Sequence, residues 1–184
     1  MMKKIVVAVA ALAGTEVLAG RLAGEEFRAR LLEEVKRTSQ GALFVLDFKN
    51  VLVTSSFFVA GFAWLWRSPE VEVKELYPVL ANLTEESRDD VLLALRETNT
   101  KVLEGRFSED GGLLSLEPVQ LDELERETYE LVEKHGEVRA NDLVRINPRI
   151  SATAWNNRLA LLHSSRLVRR EKEGRQFVYS PVRR

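Results

Sequence analysis

Residues 42–66 read ALFVLDFKNVLVTSSFFVAGFAWLW. The first seven form a continuous apolar run of strand length, the pattern of a strand covered on both faces in a parallel sheet. The far end places Phe57, Phe58, Phe62, Leu65 and Trp66 at helical spacing, and Ser68-Pro69 is expected to stop that helix. Between them lies Thr54-Ser55-Ser56, where Ser55 or Ser56 can cap the first-turn N–H groups. A strand turning through a polar corner into a helix is half of a strand–helix–strand unit.

The same alternation continues on both sides. Upstream, Ile5 to Leu12 is apolar, and with Lys3-Lys4 before it the run imitates the start of a secretory signal. Ile5, Val6, Val7 and Val9 are β-branched and the run is far too short to span a membrane, so a buried strand is expected. After Gly14, EEFRARLLEEVKRT sets Phe27, Leu31, Leu32 and Val35 on one helical stripe, with Gly41 as its end. Downstream, LYPVLAN reads as a strand, and Thr84 opens the helix EESRDDVLLALRET with Glu85 and Glu86 in its first turn. Strands and helices in this order predict an α/β layer domain.

Composition narrows the chemistry. The 184 residues are 45% hydrophobic, enough for one or two small cores, and the formal net charge is −1. There are no cysteines and two histidines, His135 and His163. A disulfide framework, a Cys/His zinc site and a cysteine nucleophile are therefore excluded by count, and a reducing cytoplasm fits. No Gly-rich phosphate loop precedes a Lys-Ser/Thr, and no acid–histidine pair or metal-ligand spacing is present. Neither metal, cofactor nor catalysis is expected. Asp47 sits within a strand, where a carboxylate is costly, which makes it the one acid to watch, and it is expected to accept hydrogen bonds from nearby backbone or from an arginine such as Arg21.

Charge is distributed unevenly. From Arg139 onward there are eleven Lys/Arg against three Asp/Glu, whereas residues 117–138 hold eight acids and two bases. The stretch FSEDGGLLSLEPVQ, with its paired glycines and proline, reads as a linker over residues 108–118. Then LDELERETYELVEKHG gives an amphipathic helix with Leu121, Leu124, Thr128, Leu131 and Val132 inward, His135 at its end and Gly136 closing it. RANDLVRINP is a short helix ending before Pro148, ISATAWNNRLALLHSSR a longer one capped by Ser151, and LVRREKEGRQFVYSP two β runs around Glu173-Gly174. Three helices and a hairpin make the layout of a winged helix-turn-helix, over residues 119–184.

Helical geometry assigns the third helix's faces. At about 100° per residue, Trp155, Leu159 and Leu162 share the core side. Thr153, Asn156, Asn157, Ala160 and Ser164 share the opposite, uncharged side, which suits close insertion into a major groove. Asparagine can bond bidentately to adenine, and threonine can approach a thymine methyl. Ser151, Thr153, Asn156, Asn157, Arg158 and Ala160 are thus candidate recognition-helix contacts. Arg158 lies at the flank, where a phosphate or an internal acid such as Glu127 is as fitting a partner as a base. Arg149, Arg169, Arg170, Lys172 and Arg175 are candidate contacts to backbone phosphates or a minor groove. Trp64 and Trp66 are expected in packing or at a dimer interface.

Two resemblances add to this reading. GTEVLAGRLAGEEFRARLLEEV, FVLDFKNVLVTSSFF and VLANLTEESRDDVLLAL resemble the STAS-like domain, a relative of the STAS domain of bacterial anti-sigma-factor antagonists. The likeness spans about residues 3–107 and rests on Gly20, Arg21 and Gly24, the Leu-Asp-Phe strand, the Ser-Ser-Phe junction and Asn82. In the antagonists a serine of an Asp-Ser-Ser-Gly turn at this junction is phosphorylated, which the resemblance carries to Ser55 or Ser56. Thr54 stands where Asp would, and Phe57 where Gly would, and the departure favours a helix cap. ISATAWNNRLALLHSSRLVRREKEGRQFVY resembles winged-helix transcription regulators.

The combined expectation is a cytoplasmic α/β protein with a STAS-like domain over 1–107 fused to the winged helix-turn-helix. It would regulate transcription by binding double-stranded DNA as a homodimer, with no membrane association, and the STAS-like part would sense a signal or mediate dimerisation. The alternative is a partner-switching protein that binds a kinase or sigma-factor regulator and uses the winged helix for docking to a regulatory protein partner.

Overall fold

The computed structural model describes residues 2–108 and 112–182. They form two compact units, one reaching Gln120 and the other beginning at Leu121.

In chain order the first unit contains β1 (Lys4–Ala8), α1 (Val9–Ala13), β2 (Val17–Leu18), α2 (Arg21–Arg37), β3 (Leu43–Asp47), β4 (Leu52–Val53) and α3 (Ser55–Gly61). A 3-10 turn (Ala63–Arg67) leads into α4 (Pro69–Val73), β5 (Tyr77–Ala81), α5 (Glu85–Glu97), β6 (Val102–Phe107) and β7 (Leu113–Val119). The main sheet has the order β1-β3-β5-β6-β7, parallel through β6 and antiparallel between β6 and β7. The unit is therefore α/β with a mostly parallel sheet. In β3 the residues Leu43, Phe44, Val45 and Leu46 are all buried, so both of its faces are covered, as its unbroken apolar run requires.

One face of the sheet carries Val7, Phe44, Leu46 and Leu80 into a core shared with α2, α3 and α5. At its centre Phe62 lies 4.9 Å from Phe27, 5.2 Å from Phe48 and 5.3 Å from Phe58, ring to ring. Tilted pairs at such distances are favourable beyond the area they bury. Helix α2 meets α3 so closely that a Cβ placed on Gly24 would lie 2.8 Å from the carbonyl oxygen of Phe57 and 2.9 Å from the Cβ of Ala60. Gly20 begins α2 at φ 85°, which only glycine adopts without strain. The two glycines of this motif thus have separate physical causes.

Several expectations are corrected. The first strand ends at Ala8, because the alanine-rich Val9–Ala13 segment turns helical and closes at Gly14 with φ 77°. Helix α2 likewise ends at Arg37, before Gly41. Neither Ser55 nor Ser56 caps α3: the Thr54 hydroxyl accepts from the Phe57 N–H at 3.4 Å, one residue earlier than expected. Pro69 starts α4 and does not merely end what precedes it, since the first helical position needs no N–H. Asp47 accepts from a backbone donor as expected, the Lys49 N–H at 3.0 Å, and also from the Asn82 amide at 2.8 Å, while Arg21, the other expected partner, pairs with Glu25.

The expected linker, 108–118, is the largest correction. Residues 109–111 lie outside the described residues, but Leu113–Val119 is a strand paired with β6 from Val102↔Val119 to Phe107↔Leu113. Pro118 is tolerated because β7 ends the sheet order and needs no ladder hydrogen bond on its outer side. The first unit accordingly ends at Gln120, whose φ is 72°, and not at residue 107.

The second unit contains α6 (Glu123–His135), α7 (Ala140–Ile146), α8 (Ala152–Ser164), β8 (Val168–Glu173) and β9 (Gln176–Pro181). Asp122 and Glu125 form a reciprocal capping box that starts α6. Thr128, Tyr129 and Val132 are its buried apolar-side residues, while Leu124, expected inward, is 53% exposed. β8 and β9 form an antiparallel hairpin closed at Gly174-Arg175, and Val138 adds a bridge to Tyr179 through two 2.9 Å backbone bonds. Trp155, Leu159 and Leu162 of α8 are at most 1% exposed and sit with Leu143, Leu167, Val168 and Tyr179 among the unit's buried residues.

Candidate nucleic-acid interface

The core stripe of α8 fixes its outer face by elimination. Ser151 caps the helix by accepting from the Ala154 N–H at 3.2 Å. Thr153, Asn156, Asn157 and Ser164 are exposed and Ala160 is half-buried. Leu161 is 46% exposed at the edge of this face, an apolar flank that helical geometry alone passed over.

Asn156, Asn157 and Ala160 form one wall of an open cleft of about 410 Å³. The hairpin supplies Arg170, Arg175, Gln176, Phe177 and Tyr179, and the start of α7 supplies Arg139, Ala140 and Asn141. Three arginines and four carboxamides line the cleft, and none of the lining is acidic. Strand alternation explains part of this lining: Arg170 stands opposite Tyr179 and Lys172 opposite Phe177, so these four share one face, while Arg175 and Gln176 join the lining from the closing turn and the start of β9. The Arg170 guanidinium lies 4.4 Å from the Phe177 ring centroid, a cation–π contact on a phenylalanine that is 41% exposed.

The structure divides the sequence-derived candidates. It brings Asn156, Asn157, Ala160, Arg170 and Arg175 together. Ser151, Thr153, Arg149 and Lys172 are exposed outside the cleft lining. Arg158 is half-buried, 5.0 Å from the Trp155 ring and 3.4 Å from the Glu127 carboxylate, so it braces α8 against α6. Arg169 is 2.8 Å from Glu171. Arg139, Asn141, Gln176 and Phe177 were not among the sequence-derived candidates: Arg139 and Asn141 lie outside the third helix, and Gln176 and Phe177 are uncharged residues of the hairpin. The signal that could have found them is the polar Arg-Ala-Asn opening of α7, with no helix-capping acceptor at Arg139.

His163 adds no charge to this surface near neutrality. Burial, with the positive Arg170 and Arg166 nearby, holds its imidazole down to about 4 from an ordinary 6.5. As pH falls through 6.5 the unfolded chain takes up a proton that the folded protein refuses until about 4. Stability is therefore full above 6.5 and declines between 6.5 and about 4. For a side chain only partly buried, solvent screening leaves about 1 kcal/mol of the effect. Urea unfolding at pH 7 and pH 4.5 is expected to show that excess loss in the wild-type chain and its absence in His163→Gln. Equal losses in both would refute it.

In the first unit Ser56 is exposed and Ser55 half-buried, with the Ser56 hydroxyl 3.3 Å from that of Thr54. Ser56 borders a concavity of about 390 Å³ that also includes Arg21, Glu25, Arg28 and Glu97. Among the described residues no helix is long and apolar enough to cross a membrane. The chain matches no model of a known protein family, and no curated protein matches it significantly.

Proposed function

We propose that the chain is a transcription regulator that binds double-stranded DNA through its second unit, acting as a winged helix-turn-helix, while the first unit, a STAS-like domain, senses a signal or joins two copies. The observation that carries this reading is the cleft: the uncharged amide face of α8 shares one concavity with Arg170 and Arg175 of the hairpin. The order helix, bridge residue Val138, helix, helix, hairpin supports it, since that is the winged-helix arrangement. In this mode α8 enters the major groove, Asn156 and Asn157 address base edges, and Arg170 and Arg175 neutralise phosphates. Two copies would read a palindromic site.

A partner-switching role draws support from Ser56, which is exposed beside Arg21 and Arg28. A duplex titration at several salt concentrations separates the two. The regulator reading expects affinity to fall steeply as salt rises. Asn157→Ala should cost about 1–3 kcal/mol of discrimination between preferred and altered sites, whereas Arg175→Ala should weaken all duplexes alike and lower the salt slope by about 1. No salt-dependent duplex binding, or no change in either variant, rejects the reading.

A further inference from the structure

The three arginines of the cleft are not equivalent. Arg170 rests on Phe177, and neither it nor Arg175 has an acidic partner among the described residues. Arg139 does have one: its guanidinium is ion-paired with the carboxylate of Glu173. The pair ties the start of α7 to the end of β8, the two elements whose neighbouring residues line the cleft on either side. Arg139 immediately precedes α7, whose Ala140 and Asn141 line one side, and Glu173 ends β8 opposite Gln176, which lines the other.

Stability is a poor reason for this contact. The two side chains are 39% and 57% exposed, and pairs of that kind contribute about 0–1 kcal/mol. The backbone N–H of Arg139 is satisfied separately, by Asp142 at 2.9 Å, so α7 starts properly whatever the guanidinium does. What the pair does accomplish is to fill the cation of Arg139 with an anion belonging to the protein itself.

We infer that Arg139 is a phosphodiester-binding residue of this interface and that Glu173 is its built-in competitor. This rests on the nucleic-acid reading of the cleft. A backbone phosphate arriving at Arg139 replaces the carboxylate, forming charge-assisted N–H···O bonds of the same kind. Glu173 is then left unpaired beside the phosphate, and the two like charges repel. The exchange therefore returns little: one ion pair replaces another, and the freed carboxylate gathers a cation as the phosphate gives one up. Arg139 is held in reserve, and the wild-type interface behaves as though it had one phosphate contact fewer than its arginines suggest.

The test is duplex binding by the full chain with Glu173→Gln, Arg139→Ala and the double variant, across salt concentrations. Glu173→Gln is expected to tighten binding about 3- to 10-fold and to steepen the slope of log K against log salt by about 0.9, the increment for one phosphate contact. In the Arg139→Ala background the same substitution should gain less than about 2-fold, because the group it frees is gone. Thermal midpoints should stay together, as expected for an exposed pair. If the wild type binds duplex and Glu173→Gln binds identically, this inference falls while the nucleic-acid reading stands. If the gain is as large without Arg139, Glu173 acts only through bulk charge and the inference also falls. If no variant binds duplex, both readings fall together.

Discussion

Replacing Gly24 by alanine is expected to lower the stability of the first unit by about 2 kcal/mol, against the direction that helix propensity alone would give. In an isolated helix the exchange is favourable by about 1 kcal/mol, because alanine loses less backbone freedom than glycine. Here the new methyl would stand 2.8 Å from the Phe57 carbonyl oxygen, 2.9 Å from the Ala60 Cβ and 3.2 Å from the Gly61 nitrogen. Two of the three are main-chain atoms, so no rotamer change can clear them. Helices α2 and α3 must part, and the rings of Phe27, Phe57 and Phe62, now 4.9–6.1 Å apart, must separate with them. Urea unfolding of the full chain followed by tryptophan fluorescence reads the change, because Trp64 and Trp66 follow α3 directly. Ala29→Gly, on the exposed side of the same helix, is the propensity control and should cost about 1 kcal/mol. A Gly24→Ala chain as stable as the parent would mean that the helix crossing is loose, contrary to the geometry.

Gly24 also illustrates what a single sequence reveals. Its spacing from Gly20 was visible as a motif, but one glycine is explained by a positive φ and the other by a neighbouring backbone, and spacing does not distinguish them. Elements whose periodicity was uninterrupted were legible: β3 through its unbroken apolar run, α5 through Thr84, and α8 through Ser151 and the Trp155, Leu159, Leu162 stripe. Errors gathered where short polar residues compete for one role. Thr54, Ser55 and Ser56 can each cap a helix, and the choice depends on which backbone leaves β4 in an extended conformation. The β7 segment was obscured by Gly and Pro, which mark loops on average yet are tolerated at the end of a sheet. The cleft was half legible for a similar reason. Asn156 and Asn157 follow from helical geometry, but Arg139 joins them only because Val138 bridges to Tyr179, a contact 41 residues away in the chain that no local pattern encodes.

The largest functional effect should come from reversing the charge of the cleft's hairpin wall. Arg170→Glu combined with Arg175→Glu is expected to weaken duplex binding at least about 100-fold, close to 3 kcal/mol, and to lower the salt slope by about 1.8. Both arginines line the cleft, and neither is committed to an acid, so in the wild type each can meet a phosphate at no internal cost. Each substitution removes one such contact and sets a carboxylate where a phosphate must approach, and like charges so placed cost several kcal/mol in the worst case. Losing the guanidinium over Phe177 should disturb the hairpin little, since an exposed cation–π contact contributes about 0.5–1 kcal/mol and the β8–β9 ladder runs unbroken from Val168 to Glu173. The matched control is Arg126→Glu with Lys134→Glu, two exposed bases of α6 outside the cleft. It changes the net charge equally, so any loss it produces measures attraction by the whole protein rather than contact. Affinities that fall together in both double variants would show that duplex is held by diffuse charge. A fall confined to the cleft variant would locate the bound phosphates between α8 and the hairpin, where the asparagines could also reach the bases.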